Sequence, residues 1–236
     1  MSAEGLDVQV AGETLEVVVD RGIDNKFTTA MTKALADAVA AVTEDQGVRF
    51  VRIRSRGEVF CLGREQEGSS AEELRSVSGR IVRLVEVLRD TPAIVICEVG
   101  GDAAGFGVGL AAASDVAVAS SDASFWFPEL AAGLAPSVVM SWLVHLVPRK
   151  VAFELVASGR TLPASEALQR GLVTEVAKPG EVPAAADGWL EHLGAVDAST
   201  LRDVKGFLNH AESIDENAAG RSAAHLLALG SLARRG

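Results

Sequence analysis

Ile94-Val95-Ile96-Cys97-Glu98-Val99, running into Gly100-Gly101-Asp102-Ala103-Ala104-Gly105-Phe106-Gly107-Val108-Gly109-Leu110, is the stretch whose reading decides the fold. A nearly continuous apolar run bounded by glycines reads as a strand buried on both faces, the kind found in parallel sheets covered by helices. The glycines then open a helix over 105–113. Its first N–H groups have no intrahelical acceptor and can face a carbonyl oxygen or a phosphate.

Working outward, Leu15-Glu16-Val17-Val18-Val19-Asp20 reads as a strand ending at Asp20-Arg21-Gly22. Phe50-Val51-Arg52-Ile53-Arg54 is another, alternating from Val51. Between them Ala30, Leu35, Val39 and Val42 recur at helical spacing behind a cap at Thr28 or Thr29, with Asp45-Gln46-Gly47 as the stop. Residues 55–68 read as a glycine-bearing loop. Leu74, Val77, Ile81, Leu84 and Leu88 predict a second helix over 71–89, halted by Asp90-Thr91-Pro92. Val116-Ala117-Val118-Ala119 is a further short buried strand, and from Ser137 onward the pattern is largely helical. The βαβαβ order places the chain in the α/β class, with right-handed crossovers and a mostly parallel sheet. The layout is an α/β core over residues 1–185 and a C-terminal helical portion over 186–236. That portion is too small to bury its own core and is a candidate to pack on a neighbouring subunit.

The chain has 236 residues, 48% of them hydrophobic, enough for one large domain. With 22 basic against 32 acidic residues, its net charge of -10 gives no basic footprint for nucleic acid or an anionic membrane surface. Cys61 and Cys97 have no metal-type spacing and fit a reducing, cytoplasmic setting. The start, Met1 to Asp7, lacks the basic and apolar regions of a secretory signal. The weakly charged stretch from Ile94 to Ala119 carries Glu98, Asp102, Asp115 and five glycines, which argues against a membrane span.

Two glycine-bearing turns follow strands, Phe60-Cys61-Leu62-Gly63-Arg64 and Gly100 to Gly109, and so belong on the edge where parallel sheets bind ligands. Gly105-Phe106-Gly107-Val108-Gly109 lacks the spacing of a dinucleotide fingerprint. Its glycines either allow close helix-to-strand packing or free backbone donors for an oxyanion. Ser124-Phe125-Trp126-Phe127-Pro128-Glu129 ends an aromatic cluster on a proline-fixed acid. Glu129 is then either a desolvated general acid or base, or an acid that suits a helix start with Pro128 in first position. Glu98, if buried, has to be paired, protonated or facing a cavity. His145 and His210 sit in helical stretches that suit surface or packing roles.

Taken in order, these stretches resemble the enoyl-CoA hydratase/isomerase, or crotonase, family. Phe60 to Glu65 resembles its F-C-A-G-x-D turn, and Gly100 to Leu110 its N-G-x-A-x-G-G-G-x-E-L loop. Asp115 falls on the aspartate of a following C-D pair, and Phe125 to Pro136 resembles F-x-x-P-E-x-x-x-G-x-x-P. Ser158-Gly159-Arg160 and Ala164 to Val173 resemble the later T-G-R and A-x-E-A-x-x-x-G-L-V elements. The resemblance implies a crotonase-like stacked ββα superhelical core, with 186–236 a C-terminal helical trimerisation region of a homotrimer or dimer of trimers. It implies an acyl-CoA or acyl-carrier thioester as substrate, with no cofactor beyond that CoA moiety and no metal.

Carried over by position, the resemblance makes the N–H groups of Leu62 and Phe106 the oxyanion hole and Glu129 the catalytic acid-base. Gly105, Gly107, Gly109, Trp126 and Pro128 would line the substrate, and Arg21, Lys26 and Arg64 would meet the CoA phosphates or adenine region. The family's hydratases use two glutamates, and the first would fall on Gly109. A single acid suits the proton shuttle of the family's Δ3-Δ2 enoyl-CoA isomerases. Further departures are Gly100 for an asparagine and Ser137-Val138-Val139 for glycines. Residual hydration, decarboxylation, thioester hydrolysis, or a non-catalytic acyl-thioester-binding partner subunit therefore stay as alternatives.

Overall fold

The structure is a computed structural model and describes residues 3–43 and 47–233. Met1-Ser2 of the N-terminal reading and Asp45-Gln46 of the first helix stop lie outside the described residues.

The buried run Ile94–Val99 forms a strand, β5, at the centre of a six-stranded sheet of order β1-β2-β3-β5-β7-β10. Its companions are β1 (Leu6–Ala11), β2 (Thr14–Val19), β3 (Phe50–Ser55), β7 (Val116–Ser120) and β10 (Glu175–Ala177). All pair in parallel except the β1–β2 hairpin. Every residue of β5 is buried, as a strand covered on both faces requires. Ile94 and Ile96 join Phe50, Val116 and Val118 under Val182 and Ala186 of α7 (Val182–Gly194), while Val95, Cys97 and Val99 face the main core. Helix α7 spans residues 185 and 186, so the change from core to C-terminal portion runs through a helix already seated on the sheet.

A second sheet, order β4-β6-β8-β9, is built from β4 (Val59–Cys61), β6 (Asp102–Ala104), β8 (Ser124–Trp126) and β9 (Leu162–Pro163). Each of its first three strands directly follows one of the large sheet and precedes a helix. The units are β3-β4-α2 (Ala71–Asp90), β5-β6-α3 (Phe106–Ala112), and β7-β8 with a 3₁₀ turn (Pro128–Ala132) and α4 (Ser137–Leu146). This stacked ββα arrangement, with two sheets, replaces the one mostly parallel sheet that periodicity alone suggests. The 55–68 loop and the Gly100–Gly109 loop thus each contain a strand.

Helix starts follow their chemistry. Thr28 Oγ1 accepts the Met31 N–H at 3.1 Å to cap α1 (Thr29–Ala40), and Ser70 with Glu73 forms a reciprocal capping box on α2. Ile81, Leu84 and Leu88 are buried as the spacing requires, whereas Leu74 in the first turn of α2 is 46% exposed.

The remaining helices are α5 (Arg149–Ala157), α6 (Ala164–Gln169), α8 (Ala198–Ala211) and α9 (Glu216–Ala233). Helix α8 is tied to the core by Lys205, which is buried and donates to the carbonyls of Leu88 and Ala93, both at 2.9 Å, and to Asp115 Oδ2 at 2.7 Å. Burial lowers the Lys205 pKa, and Asp115 opposes that shift. Truncating one partner of such a pair typically costs about 3–5 kcal/mol, because the other charge is left buried. No helix among the described residues is long and apolar enough to cross a membrane.

Candidate active site

The three short parallel strands of the second sheet end side by side, and each delivers one component of the site. Leu62 follows β4, Gly105 and Phe106 follow β6, and Glu129 follows β8. Three stretches far apart in sequence are brought together because β4, β6 and β8 are hydrogen-bonded neighbours.

Gly105 caps α3 with φ 51°, in the region that favours glycine. Its N–H donates to the Trp126 carbonyl at 2.9 Å, which docks the helix start on the β8 end. A β-carbon at Gly105 would lie 2.5 Å from Glu129 Oε1 and 3.2 Å from its carboxyl carbon. The glycine is therefore what lets the carboxylate lie against the helix start. Pro128 takes the first position of the 3₁₀ turn and fixes the approach of Glu129, and Gly133 closes that turn in the left-handed region. Glu129 sits in a helical first turn, and its carboxylate reaches across to Gly105.

Glu129 is half-buried, and its Oε2 is buried with no hydrogen-bond partner. Desolvation raises its pKa above the usual carboxylate range, while its own backbone N–H and the charge of Arg64 pull the other way. Arg64 is held nearby by a parallel bridge to Phe27. A partly desolvated carboxylate with an unused oxygen, beside free helix N–H groups, is equipped to take and return a proton.

The two expected oxyanion donors differ. The Phe106 N–H is the first of α3, where helix geometry supplies no acceptor. Its ring turns away into the core, 5.1 Å from the ring of Phe27, so the aromatic side chain does not fill the site. The Leu62 N–H, by contrast, donates to the Asp24 carbonyl at 2.9 Å. This donor is thus engaged within the chain. The loop after β2 is held in place by Asn25, buried at φ 46°, whose side chain binds the N–H of Arg21 and the carbonyls of Arg56 and Val59.

Gly107 permits close approach of α3 to β4, since a β-carbon there would overlap the Cys61 carbonyl oxygen. Cys61 is buried and its thiol pKa is pushed up to about 12 by desolvation, so it carries no nucleophilic role. Gly109 serves differently. A β-carbon there would lie 2.9 Å from both Trp142 Cζ2 and Val139 Cγ2. The space beside Gly109 is already occupied.

Among the flanking residues, Phe125 and Phe127 are buried and Trp126, alternating with them, is half-exposed on the other side of the strand. Arg21 donates to the Lys26 carbonyl and pairs with Glu65 at 2.9 Å, and Lys26 pairs with Asp24 at 3.0 Å. Arg21 therefore braces this loop through its Nη1. Of the readings for Glu98, pairing is the one observed. The residue is 4% exposed and paired with Arg52, which also reaches Asp187 at 2.7 Å under α7. Sequence reasoning missed Asn25, Lys205 and Trp142, whose roles depend on contacts distant in the chain. Two clefts, about 460 Å³ beside Lys205 and about 640 Å³ between α8 and α9, include none of Leu62, Phe106 and Glu129 in their lining. Among the described residues no cluster of His, Cys, Asp or Glu has the makings of a metal site.

Comparison with known proteins meets this geometry. The profile of the family described as "Enoyl-CoA hydratase/isomerase" matches residues 14–228. The chain belongs to the enoyl-CoA hydratase/isomerase family. It is 32% identical over 162 residues to the human mitochondrial enoyl-CoA hydratase domain-containing protein 3, covering 67% of this chain and 54% of that protein. It is 31% identical over 185 residues to a carnitinyl-CoA dehydratase of Salmonella enteritidis, covering 76% and 70%. The chain thus spans about half the length of the human relative. Among solved structures, an enoyl-CoA hydratase of Mycobacterium smegmatis superposes at a TM-score of 0.90, with 26% identity over 96% of this chain and 90% of that one. A Thermobifida fusca protein solved in complex with CoA superposes at 0.86, with 30% identity over 98% and 95%. Membership of this family and the crotonase fold expected from the motifs are both established.

Proposed function

We infer that this member of the family moves a double bond within an acyl-CoA, with Glu129 as the single proton carrier. The observation that carries the reading is the Glu129 carboxylate, with Oε1 against Gly105 at the start of α3 and Oε2 buried without a partner. In a 3-enoyl thioester, the Glu129 carboxylate takes a proton from C2. The C–H electron pair then spreads over C2 to C4 and the thioester oxygen as a dienolate. The Phe106 N–H, and the Leu62 N–H once it exchanges the Asp24 carbonyl for the substrate, stabilise that oxygen; one such donor typically contributes about 3 kcal/mol. Glu129 returns the proton at C4, and the double bond lies between C2 and C3. Atoms and electrons balance, and no further cofactor is called for. The CoA bound to the Thermobifida fusca relative makes a CoA thioester the natural substrate class.

Glu129→Gln tests this. Migration of the double bond in 3-hexenoyl-CoA should fall by about 100-fold or more, the usual worth of a general acid-base, with the fold intact. Unchanged turnover would refute it. A second reading, an acyl-thioester-binding subunit without turnover, is favoured by the Leu62 N–H already being engaged by Asp24. Tight CoA binding without conversion of either 2- or 3-enoyl-CoAs would support it instead.

A further inference from the structure

Position 109 is not merely short of an acid; its surroundings are rebuilt. Val139 and Trp142, each 5% exposed, come from consecutive turns of α4 and close over the Cα of Gly109. Trp142 Nε1 donates to the Gly109 carbonyl at 3.2 Å, and the same carbonyl accepts the Ala113 N–H at 3.0 Å. A carbonyl oxygen has two lone pairs, so no acceptor capacity is left there for a water. The atoms nearest a β-carbon at this position are all carbons, Trp142 Cζ2 and the two γ-carbons of Val139. A water needs two or more polar partners to settle in a buried space, and the Gly109 carbonyl is already used by two donors.

We propose that Trp142, supported by Val139, is a specificity-determining residue: its indole fills the volume in which a second acid and an attacking water would sit, committing the site to proton transfer and closing it to water addition. The proposal rests on the Glu129 reading above. Adding water across a conjugated double bond requires one group to hold and deprotonate the water and another to protonate the α-carbon. With one carboxylate and a dry wall at Gly109, only the proton shuttle is open. A change at position 109 alone cannot reverse this, because even a β-carbon is too close to Trp142 and Val139.

The test compares hydration of 2-butenoyl-CoA with double-bond migration in 3-hexenoyl-CoA, measured in parallel. Wild type should hydrate negligibly, as should Gly109→Glu alone. Gly109→Glu combined with Trp142→Ala should raise hydration about 100-fold above wild type, the usual contribution of a positioned acid-base. Should that double variant not fold, Trp142→Ala supplied with formate serves in its place, the small acid entering the vacated space. Formate-dependent hydration supports the proposal, and the indole-deleting but ring-retaining Trp142→Phe should show less of it. A folded variant of either kind with hydration at the wild-type level overturns it. So does a wild type that hydrates 2-butenoyl-CoA as fast as it moves the double bond. A failure of the isomerase reading shows separately, as a wild type that leaves 3-hexenoyl-CoA unchanged.

Discussion

Gly105 and Gly109 stand four residues apart at the start of one helix, and both lack a side chain for a reason, but the reasons are opposite. At Gly105 the vacated space admits the carboxylate of Glu129; at Gly109 it admits an indole and an isopropyl group. The first glycine brings a titratable group against the helix start. The second buries its surroundings and leaves no place for one. A glycine in a site-forming loop is therefore not informative until its neighbours are known, and here two glycines of one motif divide the chemistry between presence and exclusion.

The largest expected effect comes from filling the first space. Gly105→Ala places a β-carbon on Glu129 Oε1 in a backbone conformation that alanine adopts with strain. Displacing a reacting group by about 1 Å can cost about 100-fold in rate, so kcat in the double-bond migration assay should fall by that order. Stability measured by urea unfolding should fall by about 1–3 kcal/mol. Retention of full activity would show that the carboxylate does not work from its position against Gly105.

A smaller effect concerns Arg64, the cation that opposes the desolvation of Glu129. The carboxylate must be ionised to accept a proton, so activity should be lost as pH falls through a value above the ordinary carboxylate range. Arg64→Gln removes the opposing charge, and the acid limb of kcat against pH should move further upward. A downward shift would mean that Arg64 does not act on Glu129.

The smallest effect is on stability. Because the folded pKa of Glu129 is raised, the folded state holds its proton over a window in which the unfolded state has lost it. The contribution is complete below the unfolded pKa and is lost as pH rises through the folded one. Glu129→Gln, which never ionises, should therefore gain stability relative to wild type as pH rises through that window, read from paired unfolding curves. A stability difference that does not change with pH would contradict the assigned burial.

The long elements were legible because each carries enough side chains to show a period. The run Ile94–Val99 is a strand over those residues, and the helical spacing from Ile81 to Leu88 marks the buried stripe of α2. The strands that assemble the site were not. Val59–Cys61, Asp102–Ala104 and Ser124–Trp126 have three residues each, too few for alternation to register, and they are held by parallel neighbours 20 or more residues away. The edge strand Leu6–Ala11 is also visible in the sequence, as Leu6, Val8 and Val10 alternating with Asp7 and Gln9.

The components of the site, Leu62, Phe106 and Glu129, came from motif resemblance. What resemblance did not convey was the state of each component: a Leu62 N–H engaged by Asp24 and a filled space at Gly109. One clue to the latter stood in the sequence. Bulk appears at Ser137-Val138-Val139, where the family has glycines, while it disappears at Gly109, and the two changes meet in space.

Whether Glu129 carries a proton to and from the carbon beside a thioester can be read from the fate of deuterium at that carbon. With 3-hexenoyl-CoA deuterated at C2, wild type should remove deuterium from C2, to C4 or to solvent, and Glu129→Gln should reduce that removal to the uncatalysed background. Removal by wild type no faster than background, or undiminished removal by the Gln variant, would contradict that role.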